Sequence, residues 1–193
     1  MLTLDILTSE MKKTEQMVGL SVFEHGVLVN NKFIELYNYL YNDGRLSSEW
    51  KLPEWVENHK NIIKNNLLPL NIITEYQIYH DCGKPYCLTI DKDGKRHFTN
   101  HAKISHDIWE KTYGNKEVGK LILMDMDIHL LKDVGVEEFA SKPEAITLLL
   151  TGLCELHSNA EMFGGLESIS FKIKYKQIKK RGSAILKQIK SKN

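Results

Sequence analysis

Apolar residues in this chain recur mostly every three or four positions, the period of helices packed onto a core. From Gln16 to Tyr41 the series Val18, Val22, Val29, Phe33, Leu36 and Leu40 predicts one long helix, and the polar stretch over 1–16 reads as a short lead-in helix. Asn42-Asp43-Gly44 is a turn signal. Pro53 suits the first turn of a helix reaching about Leu67, with Trp55, Val56, His59, Ile62 and Ile63 as its apolar face. His59 is given no role. Leu68-Pro69-Leu70 breaks that helix, and the next one carries Ile73, Tyr76 and His80 on one face before stopping at Gly83 and Pro85.

Beyond that stop the period changes. Tyr86–Ile90 and Arg96–Phe98 read as short extended pieces around the turn Asp91-Lys92-Asp93-Gly94-Lys95. The alternating aspartates of that turn are similar to a calcium loop, but the acidic ligands such a loop needs downstream are missing, so a hairpin is expected. Asn100 is a good N-cap for a helix opening at His101-Ala-Lys-Ile-Ser105. A further helix is expected over 116–132, and Pro143 starts a last long one from Glu144 to about Phe163, apolar almost all round. From Phe171 the strict alternation of apolar and lysine residues predicts an edge strand or extended arm, with a polar helix at about 183–192. The expected fold is all-α, a helical bundle with at most a small β-hairpin.

Composition narrows this picture only a little. A chain of 193 residues, 42% apolar and 26% charged, is large enough for one domain with a core that needs no disulfide. We take it as a single domain over 1–193, with a core of about 17–163 and a basic segment at 164–193. No run of about 18 apolar residues exists, so no membrane partner is expected. The start Met-Leu-Thr-Leu-Asp has no basic stretch leading into an apolar one, so a cytoplasmic location is expected. Cys82, Cys87 and Cys154 lack zinc-finger spacing and are expected as reduced thiols. A net charge of +1 hides an asymmetry: residues 160–193 hold nine Lys or Arg against two Glu.

The chemistry-bearing stretch is His80-Asp81-Cys82-Gly83-Lys84. Adjacent His and Asp at one helix end offer an imidazole and a carboxylate that together can hold a divalent cation. Lys84 follows within a turn, where an anionic substrate would meet the metal. This stretch resembles the signature His-Asp-x-Gly-Lys of the HD superfamily of metal-dependent phosphohydrolases. The resemblance spans roughly 20–160, with its specificity concentrated in 80–84.

The resemblance implies an HD-domain-like bundle whose ligands sit on separate helices. It places a first metal-binding His upstream, here His25 in Glu24-His25-Gly26; on periodicity alone His25 would be a core histidine. It places another His four residues before a Gly or Ser, here His101 and Ser105. Where the family has a His after two aliphatics, this chain has Asp125 before Met126. His129, four residues on, can share its face; an intrahelical Asp125–His129 ion pair is the structural alternative. Asp127 lies off that face. The family's final ligand is an Asp on a late helix. Here Glu155 is the nearest chemical match and His157 the next. His106-Asp107, a second His-Asp pair, reads as solvated helix surface.

On this resemblance one or two divalent ions (manganese, iron, cobalt, nickel or zinc) would be held by His25, His80, Asp81, His101, Asp125 and Glu155. Asp81 would bridge, with His25, His80 and Glu155 completing one site and His101 and Asp125 the other. Such ions lower the pKa of a bound water for attack on phosphorus. Lys84 would pair with a phosphate oxygen, and His129, or a second metal-bound water, would protonate the leaving oxygen. The expected activity is hydrolysis of a phosphoester of a nucleotide or nucleic-acid end. Hydrolysis of a free deoxynucleotide or cyclic nucleotide, and a metal-free HD nucleotide-binding module, stand as alternatives. The basic segment is a candidate RNA or DNA contact.

Overall fold

The computed structural model describes residues 2–112 and 115–192. Chain order begins with α1 (Leu4–Lys13), the strands β1 (Glu15–Met17) and β2 (Leu20–Ser21), and α2 (Val22–Tyr41). It continues through α3 (Glu54–Asn58), α4 (Lys60–Asn65), α5 (Leu70–Tyr79) and the single turn α6 (Lys84–Cys87). Then come β3 (Leu88–Ile90), β4 (Arg96–Phe98), α7 (His101–Thr112), α8 (Lys116–Leu123) and α9 (Asp127–Leu130). The chain ends with α10 (Val136–Ala140), α11 (Ala145–Ser158) and α12 (Ile169–Lys192). The fold is all-α as expected, carrying two small antiparallel pairs, β1–β2 and β3–β4. The three cysteines are free thiols. Among the described residues no helix is long and apolar enough to cross a membrane.

Two compact units emerge. The first runs to Leu28 and resumes over Leu70–Met126; the second is Val29–Pro69 with the residues from Asp127 on. In the first, α8 packs on α5 and α7, and α6 lies on α7. Its core is Leu7 and Met11 of α1, Val22, Ile73, Tyr76, Trp109, Leu121 and Ile122, all at most 1% exposed. The β3–β4 hairpin has the expected turn, in register Leu88↔Phe98, Thr89↔His97, Ile90↔Arg96. Asp91 accepts from the Asp93 and Lys95 amides and meets His97 at 2.7 Å, which gives its carboxylate a role in holding the turn.

In the second unit α11 is the central helix, buried at every position from Ala145 to His157. Helices α9, α10 and α12 pack against it or one another, and α12 also reaches α3 and α4. Val29, Phe33, Leu36 and Leu40 fall in the core as the period required.

Four local expectations are corrected. Residues 16–21 form the β1–β2 turn rather than the start of a helix, with Gly19 at φ +77° and Val18 82% exposed. A capping box explains the later start: the Ser21 amide donates to Glu24 at 2.8 Å, and the Glu24 amide donates back to Ser21 at 3.2 Å. The helix after Pro53 is interrupted at His59 (φ −129°, ψ 25°), giving α3 and α4. The helix expected over 116–132 ends at Leu123, and Met124–Met126 turn before α9. The largest correction is α12, a single helix where alternation predicted an extended arm. Of its buried residues, Phe171, Ile178, Gly182, Ile185 and Ile189 follow a spacing of 7, 4, 3 and 4, which is helical, Leu186 lies beside them, and Ile173 is 54% exposed. Packing of that longer-range face outweighs the local alternation.

Candidate metal centre

The site residues of the first unit gather because two helix crossings have no room for a side chain. A Cβ on Gly26 would lie 2.3 Å from the Ile78 carbonyl oxygen, so α2 and α5 touch there. The contact sets His25, one residue before Gly26, beside His80, one residue after α5, with ring centroids 5.4 Å apart. A Cβ on Gly83 would lie 2.3 Å from the Ser105 amide nitrogen. That closeness lets the Gly83 amide donate to Ser105 Oγ at 2.8 Å and Cys82 Sγ to the Ser105 carbonyl at 3.4 Å. The small residue at 105 thus seats the turn after Asp81 on α7, one turn along from His101.

Asp81 is the hub. Its Oδ2 lies 2.6 Å from Lys84 Nζ, 3.2 Å from His80 Nε2 and 3.8 Å from His25 Nε2. Its Oδ1 is 3.7 Å from His101 Nε2 and, though buried, accepts no hydrogen bond among the described residues. Burial alone would push the Asp81 carboxyl up. Lys84, then His80 and His25, overcome that and hold it well below the usual carboxylate range, so it is an anion. Lys84 Nζ also donates to Gln16 Oε1 at 2.9 Å and sits 5.1 Å from the centre of the Phe98 ring.

The imidazoles are oriented by the backbone. His80 Nδ1 donates to the Gln77 carbonyl at 2.8 Å, and His101 Nδ1 to the Phe98 carbonyl at 3.1 Å. Anchoring one ring nitrogen on the backbone turns Nε2 of each ring toward Asp81, the outer-sphere arrangement of metal-binding histidines. In the same unit the Tyr76 hydroxyl donates to Asp125 Oδ1 at 2.6 Å, and an Asp125 oxygen lies within 4.8 Å of a His80 ring nitrogen.

These residues fit a divalent cation. Donors each about 2 Å from one ion stand about 3–4 Å apart, the range of the Nε2–carboxylate distances around Asp81. His25, His80 and Asp81 offer ligand atoms within 4.8 Å of one another, and Asp81 Oδ1 is a buried acceptor with no donor among the described residues. The mixed imidazole and carboxylate set suits manganese, iron, cobalt, nickel or zinc.

The helix expected to carry both Asp125 and His129 stops at Leu123, and Asp125 accepts from the Tyr76 hydroxyl. His129 and Glu155 lie in the second unit, where His129 Nε2 meets Glu155 Oε2 at 2.7 Å. His157 is excluded as a ligand: its Nδ1 donates to the Leu153 carbonyl at 2.8 Å, and its Nε2 accepts from the Lys51 amide at 3.1 Å. Asp127 is half-buried, and burial pushes its carboxyl up. His106 and Asp107 form a surface pair with Lys103, as read. Sequence reasoning missed Gln16, which nothing in the polar lead-in distinguishes. It also missed the Tyr76 hydroxyl, whose place four residues before His80 was the available signal.

No family model matches the chain, and neither does any curated protein or solved structure.

Proposed function

We propose that the chain is a metal-dependent phosphohydrolase of the HD type, acting on a phosphoester of a nucleotide or nucleic-acid end. The observation that carries this reading is the convergence of three imidazole Nε2 atoms, from His25, His80 and His101, within 3.8 Å of one buried carboxylate. Lys84 already pairs with that carboxylate, so three imidazoles are not needed to neutralise it; their chemistry is that of ligands. His25, His80, Asp81 and His101 would hold the ion, with Asp125 beside them. A bound divalent ion would supply a water of lowered pKa and positive charge at the phosphate. Asp81 keeps its negative charge for this task because Lys84 and the imidazoles stabilise the anion. Lys84 fixes the carboxylate by binding Oδ2, and Gln16 fixes Lys84. Of the three ammonium protons two are committed to these partners, which leaves one for a phosphate oxygen.

A metal-free binding module is the second reading. It is favoured by the ion pair of Lys84 and Asp81 at 2.6 Å, which already neutralises the carboxylate. Elemental analysis of the purified chain separates the two. The enzyme reading requires at least one transition-metal ion per chain, and metal-dependent release of phosphate from terminally phosphorylated or 2′,3′-cyclic oligonucleotides or from free nucleotides. A chain that takes up no metal and cleaves neither substrate class supports the module.

A further inference from the structure

The basic residues of α12 divide into two sets. One set meets the unit's own groups: Lys172 pairs with Glu167, Lys179 with Glu54 and Lys180 with Asp133, while Lys174 lies over the Phe163 ring. Arg181 donates to the Leu131 carbonyl. Lys176, Lys187, Lys190 and Lys192 have no acidic partner among the described residues. Lys187 and Lys190 line one cleft of about 300 Å³ with Glu54, Lys179, Ser183, Asn58 and His59.

The cleft is built by close packing. A Cβ on Gly182 would come within 2.4 Å of the Trp55 ring, so α12 lies directly on α3. Trp55, 3% exposed, lines the cleft, and His59, at the break between α3 and α4, is on the same wall. That break, which interrupted the expected helix, is what places the imidazole there. The α12 side is a stripe: 179, 183, 187 and 190 are separated by 4, 4 and 3 residues and share one helix face.

We infer that this cleft binds a multiply charged phosphate group, held by Lys187 and Lys190 with Ser183, Asn58 and His59 as hydrogen-bonding neighbours. Lys179 is neutralised by Glu54, so the unpartnered pair supplies the net charge. The rival account is that two lysines near a helix C-terminus only complement its dipole. Nothing in that account requires them to face a cleft with a histidine, an asparagine and a serine. The same end of the dipole disfavours an anion, so both ammonium groups are needed, and a single phosphate would be held weakly. The phosphates have two chemical sources, a free polyphosphate such as that of a nucleotide or the backbone of a single strand.

Titration calorimetry on the full chain, freed of metal by chelator, tests this with inorganic tripolyphosphate and with a single-stranded oligonucleotide as separate probes. At low salt the K187Q/K190Q variant should bind at least one probe about tenfold more weakly, and K187R/K190R should restore binding. Loss confined to tripolyphosphate assigns a free polyphosphate. Loss confined to the oligonucleotide, with a salt slope reduced by about 0.7 per phosphate contact removed, assigns a strand. Loss of both assigns the phosphate chemistry they share. Equal affinity of wild type and K187Q/K190Q for both probes, or no binding of either by the wild type, overturns the inference.

Discussion

His80 and His157 begin from the same local arrangement and end in opposite states. Each is buried, 2% and 5% exposed, and each donates Nδ1–H at 2.8 Å to a carbonyl three or four residues earlier. The difference is what meets the second nitrogen. For His157 it is a backbone donor, the Lys51 amide, and the ring is enclosed by Trp50 at 4.3 Å and Phe171 at 5.5 Å. For His80 it is the Asp81 carboxylate, with two further imidazoles around the same anion. Orientation by the backbone is therefore common to a packing histidine and a candidate ligand. A ring nitrogen that accepts from a backbone N–H is committed to packing; one set beside a carboxylate that two further imidazoles also approach has the surroundings of a candidate ligand.

The comparison breaks hardest at Asp81. Asp81→Ala should abolish metal uptake and hydrolysis, because His25, His80 and His101 lose the anion they share. It should also lower stability by about 3–5 kcal/mol, since Lys84 is left as a buried charge without its partner. The double variant Asp81→Asn/Lys84→Met should recover most of the stability in urea denaturation and none of the metal. In the second unit His157→Gln should leave metal content untouched. Full metal content in Asp81→Ala, or metal loss in His157→Gln, would reverse the two assignments.

Acid separates the two regions next. Burial, the largest effect, lowers the His157 pKa from 6.5 to about 4; Lys32 lowers it further, while Glu35 and the bond to the Leu153 carbonyl pull the other way. The folded chain thus holds this ring neutral where the unfolded chain protonates it. Its contribution is complete above pH 6.5, shrinks as pH falls from 6.5 to about 4, and changes no further below that. At about 1.4 kcal/mol per unit the loss is about 3 kcal/mol. Urea midpoints across that window should fall for the wild type and much less for His157→Gln. Parallel curves would show that His157 is not the group responsible.

How far the sequence foretold this depends on the range of the interactions. The core faces of α2, α5 and α11 were legible because a buried helix repeats its own period. The placement of His25, His80, Asp81 and His101 was legible through the resemblance of the 80–84 stretch. Residues 16–21 were misjudged because Val18 keeps helical phase with Val22, although Ser21-x-x-Glu24 announced the later start. The α12 helix was hidden by a short alternation whose lysines lie on a helix held by residues seven apart. The division of roles between His157 and Glu155 could not be read, because the Lys51 amide that satisfies His157 is 106 residues away.

Two glycines sharpen the contrast at smaller scale. Gly83→Ala drives a methyl group into the backbone of α7, and overpacking against atoms that cannot rotate away should cost about 1–3 kcal/mol or more and weaken metal binding. In the second unit Gly152→Ala meets the side-chain atom Ile128 Cγ2 at 3.0 Å, with His129 Cε1 at 3.6 Å. Those side chains can shift, and alanine favours helix by about 1 kcal/mol over glycine, so its net cost should be the smaller. Thermal melts of both variants rank them; a larger cost at Gly152 would mean that the α7 crossing is the softer of the two.

A further expected effect lies at Tyr76, one turn before His80. Its hydroxyl donates to Asp125 Oδ1 at 2.6 Å in the core of the first unit, where removing a bond to a charged group costs about 1.5–3 kcal/mol. The ring itself packs edge-on to His80 at 6.3 Å and is unaffected by loss of the oxygen. Tyr76→Phe should therefore keep the fold and lower stability toward the bottom of that range. If Asp125 is a ligand, the hydroxyl is what points it, and metal affinity should fall about 10–100-fold, the usual size for an outer-sphere partner. The stability loss and the affinity loss are read separately, by urea denaturation and by competition with a chelator of known strength. A stability loss with unchanged affinity would make Asp125 a structural carboxylate and confine the metal to His25, His80, Asp81 and His101.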